Sequence, residues 1–421
     1  MTIIRTFRSA VVVAALSIVV SPPASAQEDV MQRVQKLLTI TPLFDGHNDL
    51  PWAIRQQEST PKDVAAYDLR TRTSGHTDIA RLRQGMVGAQ FWSVYIPSSS
   101  VETGAAKMQL EQIDIALQII ARYPDVFELA RTASDVERIF GSGKIASLLG
   151  MEGGHAIENS LGALRAYYDL GARYMTLTHS DNIDWADAGT DTALHNGLTS
   201  FGDTVVREMN RLGMLVDLSH TSPATMSDVL NVARAPVIFS HSSARGVTEH
   251  PRNVPDSILT RLKSNGGVVM ITFVPQFISN DIAKWDAAQS ARRTELARQF
   301  PRDTARAMRE LRAWREGNPS PKATMADVIA HIEHVRTVAG IDHVGIGGDY
   351  DGITSTPVGM EDVTSYPALF AELARREWND DDLRKLAGQN MLRVMRQAEE
   401  VARIMQREGA MPSNAEPAIP E

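Results

Sequence analysis

The chain has no cysteine among its 421 residues. That excludes disulfides, cysteine nucleophiles and thiolate ligands, so any metal here must be held by nitrogen and oxygen. It also lacks a basic excess: the formal net charge is −8, with no basic stripe, which gives nucleic-acid binding little support. No Gly-rich phosphate loop follows the first predicted strand, which weakens a nucleotide-binding reading. Long apolar runs are missing too. The N-terminal run Ala10 to Val20 is 11 residues, short of the ~20 that a membrane-spanning helix needs.

That run belongs to a different pattern. Arg5 and Arg8 precede it, and Ala24-Ser25-Ala26 follows as an A-x-A cleavage site, so residues 1–26 read as a secretory signal peptide. The mature chain would be exported, most simply to a bacterial periplasm. No cysteine follows the cleavage site to carry a lipid. At 43% hydrophobic and 22% charged residues the composition is globular, and a chain of this length can be stabilised by its core without disulfides.

From residue 27 the sequence alternates short apolar strands with amphipathic helices. Strands are predicted at 43–49, 86–96, 144–152, 173–178, 214–219, 236–240, 266–273 and 342–348. Helices are predicted at 28–38, 76–84, 107–122, 161–170, 201–212, from Ser222-Pro223, and at 256–264, 325–339, 366–377 and 380–398. The strands are continuously apolar, as in a parallel sheet buried on both faces. Eight such units predict a single-domain (β/α)8 TIM-like barrel over residues 27–409, with active-site groups at the C-terminal strand ends. A doubly wound sheet is the alternative, but it would not gather those ends around one point. The arginine-rich segment 275–320 reads as a helical insertion after the seventh strand, and 410–421 as a disordered tail.

Chemistry collects at the predicted strand ends. His47 and Asp49 close the first strand, where i and i+2 share a face. Glu152 closes the third, His179 the fourth, His220 the fifth, His241 the sixth and Asp349 the eighth. Any one histidine could be a core residue bonded to a carbonyl, and His47–Asp49 could be an ordinary hydrogen-bonded pair. Their recurrence at one end of a barrel favours a metal centre. His47 and Asp49 would hold one ion, His220 and His241 a second, and Glu152 would bridge them with one oxygen each. Two cations ~3.5–4 Å apart can share a bridging hydroxide at neutral pH and polarise a carbonyl. Ligands of nitrogen and oxygen fit zinc best, with manganese or cobalt as alternatives.

The motifs DGHNDLP (45–51), MEGGH (151–155), THSDNIDWAD (178–187), VDLSH (216–220), FSHSSARGVTEHPRNVPD (239–256) and IGGDYDG (346–352) occur in this order. The sequence resembles the membrane (renal) dipeptidases, binuclear zinc metallopeptidases of the amidohydrolase-like barrels. The resemblance implies two Zn2+ per chain on His47, Asp49, Glu152, His220 and His241, a dipeptide substrate, tolerance of a C-terminal D-residue, and a homodimer. It further implies that His179 polarises the substrate carbonyl and that Arg252 binds the C-terminal carboxylate. Asp349 would take a proton from the bridging water and pass it to the leaving amine. The alternative is a hydrolase using the same site on a β-lactam, lactone or N-acyl amino acid. The tail SNAEPAIPE has no hydrophobic stretch, so the family's C-terminal lipid anchor does not carry over.

Other residues invite weaker roles. His331 and His334 read as surface positions on a helix. His155 could line the site, and Asp45 could orient His47 or cap its strand. Asp351 should face away from the site if the strand persists.

Overall fold

The structure, a computed structural model, describes residues 24–417. The expected signal segment lies outside the described residues apart from Ala24–Ala26, where the helix Ala24–Ile40 begins. Nine parallel strands follow: β1 (Leu43–Asn48), β2 (Val87–Ser93), β3 (Phe127–Leu129), β4 (Ile145–Glu152), β5 (Ala172–Thr176), β6 (Leu215–Asp217), β7 (Ile238–Ser242), β8 (Val268–Ile271) and β9 (Val344–Ile346). Pairing runs β1–β2–β4–β5–β6–β7–β8–β9, and β9 returns to β1, closing an eight-stranded barrel. This is the (β/α)8 architecture expected from eight buried apolar runs.

The ninth strand was not expected. β3 pairs with residues 145–147 of β4, below the point where β5 pairs with residues 149–152. At three residues, one of them Glu128, it is too short to leave an apolar signature of its own. The helix Ala133–Gly141 that follows was also not predicted; it carries a capping box between Thr132 and Asp135.

Every residue of β1, β2 and β4 to β9 is buried, because the inward face packs the barrel interior and the outward face packs the helices. The interior leaves little room at the bottom of the site. A Cβ on Gly46 would meet both the Met270 sulfur and the Ser240 carbonyl.

After β8 the chain makes a short helix, Pro275–Ile278, then the hairpin Asn280–Gln299 and Thr304–Gly317. This is the predicted insertion, stapled by Trp285 against Trp314 at 5.9 Å between ring centroids. Residues 411–417 form neither helix nor strand, and the Ser413 carbonyl accepts from Arg165 at 2.8 Å. Among the described residues no helix is long and apolar enough to cross a membrane.

Candidate metal centre

The C-terminal mouth of the barrel brings the predicted residues together. Glu152 is the last residue of β4 and is buried. Its Oε1 lies 2.9 Å from His220 Nε2 and 3.2 Å from His241 Nε2. Its Oε2 lies 3.5 Å from His47 Nε2, which is itself 3.2 Å from Asp49 Oδ2. Each oxygen therefore faces one of the two expected ligand pairs. His179 stands further out, 3.8 Å from Oε1.

The backbone reaches this arrangement partly by a different route from the one expected. Asp49 is not on β1; it precedes the helix Leu50–Arg55 at φ −94°. The turn after the strand, rather than strand alternation, brings its carboxylate to His47. His179 and Asp349 lie three residues beyond β5 and β9, and His220 three beyond β6. His220 and Asp349 adopt positive φ, 68° and 65°, a conformation costly for non-glycine residues that persists where the surroundings enforce it. Gly352 lies between the carboxylates of Asp49 and Asp349, where a Cβ would collide with both.

The donor chemistry fits a pair of cations. Burial pushes His220 and His241 well below the usual histidine pKa, so both are neutral. Their Nε2 atoms are nonetheless 3.0 Å apart, a separation at which two lone pairs repel unless a proton or cation lies between them. Burial opposes ionisation of Glu152, but His47, His220 and His241 outweigh it and hold its pKa well down. Burial would also lower His47, yet Tyr174, Glu152 and Asp49 push it up, and its Nε2 has no hydrogen-bond partner among the described residues. Ligand atoms lie within 4.8 Å of one another in three sets: His47, Glu152 and His241; Glu152, His179 and His220; and His47, Asp49 and Asp349.

Outer partners fix the imidazoles. His47 Nδ1 meets the Tyr174 hydroxyl at 2.9 Å, which also approaches the Gly46 carbonyl at 3.3 Å. His241 Nδ1 meets Ser240 Oγ at 2.8 Å, and that hydroxyl donates to Asp217 at 2.6 Å. Both contacts aim Nε2 inward. The sequence reading missed Tyr174, Ser240 and Asp217. VDLSH and FSHSS contain two of them, but nothing local shows that they meet.

The cavity above the cluster is about 200 Å³ and includes Trp52, Tyr95, His179 and Asp349. Trp52 packs edge-on to Tyr95 at 4.9 Å, and Tyr95 lies 4.7 Å from the His179 ring. Neither aromatic was singled out in the sequence, although both adjoin predicted strand ends. A larger cavity of about 940 Å³, between Glu158–Arg165 and the tail, contains none of the cluster.

Arg252 is buried. Its Nη2 donates to the His241 carbonyl at 3.3 Å, while Nε and Nη1 have no partner among the described residues. Burial pushes Asp349 well above the usual carboxylate range, and the nearby Asp49 and Glu152 charges push it the same way.

The remaining candidates fall outside the cavity. His331 is a correction: it is fully buried, not a surface residue, accepting from the Ala244 amide at 3.0 Å. His334 is partly exposed and meets Asp256 at 2.8 Å. His155 is buried against the Ile96 carbonyl at 3.1 Å. Asp45 accepts from the amides of His47 and Gly348 and from Tyr366, so it ties β1 to the segment after β9, while the His47 ring meets Tyr174. Asp351 is turned to the His76 amide at 2.6 Å.

A closed parallel barrel whose mouth gathers histidines and carboxylates around one shared glutamate defines the class of barrel metallohydrolases. Residues 31–409 match the model of the membrane dipeptidase family, peptidase family M19. Dipeptidase verJ of Clonostachys rogersoniana is 41% identical over 393 residues, covering 91% of this chain and 90% of that protein. A metallopeptidase from Rhodobacter sphaeroides, solved with a phosphinate mimic of L-Ala-D-Ala, superposes with a TM-score of 0.70 at 25% identity, covering 85% of this chain and 99% of that one. The probable dipeptidase PvdM of Pseudomonas aeruginosa shares the fold, with a TM-score of 0.76 at 23% identity over 89% of this chain and all of that one. The chain belongs to the membrane dipeptidase family, and it is a metallodipeptidase.

Proposed function

We propose that the enzyme cleaves the peptide bond of free dipeptides, including those with a C-terminal D-residue, using two zinc ions. His47 and Asp49 would hold one, His220 and His241 the other, and Glu152 would be shared between them. The observation that carries this reading is the Glu152 carboxylate, with one oxygen facing each pair. Bound there, the ions supply Lewis acidity and lower the pKa of water.

The chain's own groups do the rest. Asp349, whose pKa is raised by burial, takes a proton from the attacking water and delivers it to the leaving amine. His179 Nδ1 faces Ser180 Oγ at 3.1 Å. With the serine donating, Nε2–H is free to bond the carbonyl oxygen as negative charge develops on it. Arg252 pairs with the substrate's C-terminal carboxylate through its unpartnered donors. That clamp limits substrates to one residue beyond the scissile bond. The D-residue reading is supported by the phosphinate mimic seen in the Rhodobacter relative. Export rests on the Arg5, Arg8 and Ala24-Ser25-Ala26 pattern, and a homodimer on the family resemblance alone.

The test is metal content measured alongside hydrolysis of paired L-Xaa-L-Xaa and L-Xaa-D-Xaa dipeptides, with and without chelator. Two zinc ions per chain and chelator-sensitive cleavage of both series are expected. Two metals without dipeptide cleavage would reassign the substrate to a lactone, β-lactam or N-acyl amino acid. Absence of bound metal would overturn the site.

A further inference from the structure

Phe277 lies in the short helix Pro275–Ile278, at the root of the inserted hairpin. Its ring stacks on His250 with centroids 4.4 Å apart and planes at 30°. The Arg252 guanidinium carbon lies 5.2 Å from the same ring centre. Two residues of the loop after β7 thus rest on one aromatic ring from another element.

The backbone around that ring is fastened to the same loop. Asn253 donates to the carbonyls of Phe277 at 2.7 Å and Thr248 at 2.9 Å. Asn280 donates to the Val247 carbonyl at 2.7 Å. His331 takes the Ala244 amide on one nitrogen and faces the Ile278 carbonyl at 3.3 Å with the other. Arg252, by contrast, makes one side-chain bond among the described residues, the 3.3 Å contact to the His241 carbonyl. A single long bond does not fix the plane of a guanidinium on a flexible side chain. The Phe277 face supplies the missing constraint, since a guanidinium is attracted to an aromatic face.

We propose that Phe277 is a positioning residue that sets the orientation of Arg252, so that the root of the insertion governs how strongly the enzyme requires a free carboxylate on its substrate. This rests on the reading of Arg252 as the carboxylate clamp. Two planar groups pair bidentately only when roughly coplanar. An arginine that turns freely still attracts a carboxylate but loses the directed pair. The consequence falls on substrate binding, because the ring acts through its stacking with His250 and Arg252.

The experiment compares L-Ala-D-Ala with its C-terminal amide on the zinc-loaded full-length enzyme. The readout is the ratio of kcat/KM for acid over amide, with zinc content measured in parallel. Phe277→Ala is expected to lower that ratio about tenfold, through KM for the acid, with kcat and zinc content held. Phe277→Tyr keeps the ring and should restore the ratio. Phe277→Leu keeps most of the volume without the aromatic face and should lower the ratio even if the alanine variant folds poorly. Equal losses on both substrates, or loss of zinc, would show a general structural role and overturn the proposal. An Arg252→Gln enzyme that keeps the wild-type ratio overturns the clamp and this proposal together. Loss of the ratio in Arg252→Gln with retention in Phe277→Ala and Phe277→Leu overturns only the role of Phe277.

Discussion

His220 Nε2 and His241 Nε2 stand 3.0 Å apart, and both face the same oxygen of Glu152. Two neutral imidazoles accept that closeness when a proton or a shared cation lies between them. The other oxygen of Glu152 looks toward His47, so in the proposed two-metal centre the carboxylate would serve both halves. On that proposal, Glu152→Ala is expected to cut bound zinc from about two ions per chain to below about one, because it would remove a ligand from each. Hydrolysis should fall by at least about a hundredfold. Elemental analysis of the purified variant checks the first effect, and a dipeptide assay the second. A variant retaining both ions would remove Glu152 from its bridging role.

Asp349 should separate chemistry from metal binding. Its amide donates to the His47 carbonyl at 3.1 Å, so the loop position does not depend on its carboxylate. Asp349→Asn is nearly isosteric and cannot carry the proton. The expected outcome is a loss of about 10²–10⁴-fold in kcat with zinc content near the wild-type value. Loss of zinc in this variant would make Asp349 a ligand, in keeping with its place beside His47 and Asp49.

Ser240 tests how the ligands are aimed. Asp217 accepts from the Ser240 hydroxyl and amide, from the Ser219 amide and from Thr176 Oγ1. With its proton committed to Asp217, the Ser240 hydroxyl accepts from His241 Nδ1–H and leaves Nε2 unprotonated for a metal. Ser240→Ala is expected to weaken zinc binding about 10–100-fold, measured by competition with a chromogenic chelator, while Ser240→Thr should retain most of it. Equal affinity in the alanine variant would show that packing alone orients the ring.

These relationships mark where the sequence could and could not be read. Glu152, His47 and His241 were legible because each ends or lies in a strand, and a parallel barrel converges its strand ends. Asp49 does lie beside His47, but by another local geometry than expected: the turn into Leu50–Arg55, not alternation on β1, brings it there. Tyr174 and Asp217 were illegible because their partners lie on other strands, and a tyrosine or aspartate inside an apolar run carries no sign of what it will meet. Arg252 has no local signal at all, and its proposed role comes only from the resemblance. β3 carries no signal because three residues cannot show a period, and His331 reads as a surface position because its partners come from the loop after β7 and the helix Pro275–Ile278.

His331 gives a prediction about stability. Burial, the main cause, pushes its pKa down to about 4, whereas an unfolded histidine titrates near 6.5. Above about pH 6.5 both states are neutral and its contribution to stability is intact. As pH falls from about 6.5 toward 4, the unfolded chain takes up a proton that the folded protein refuses, so stability declines, by about 3 kcal/mol once it levels off below pH 4. Glutamine does not titrate, and its amide can both accept from Ala244 and donate toward Ile278. Urea unfolding at pH 7 and pH 4.5 should therefore show a smaller loss for His331→Gln than for the wild type, whatever their difference at pH 7. Metal release in acid affects both proteins alike and cancels in the comparison. An equal loss in the two would mean that His331 takes up its proton in the folded state, and that the contact between the Arg252 loop and the insertion opens in acid.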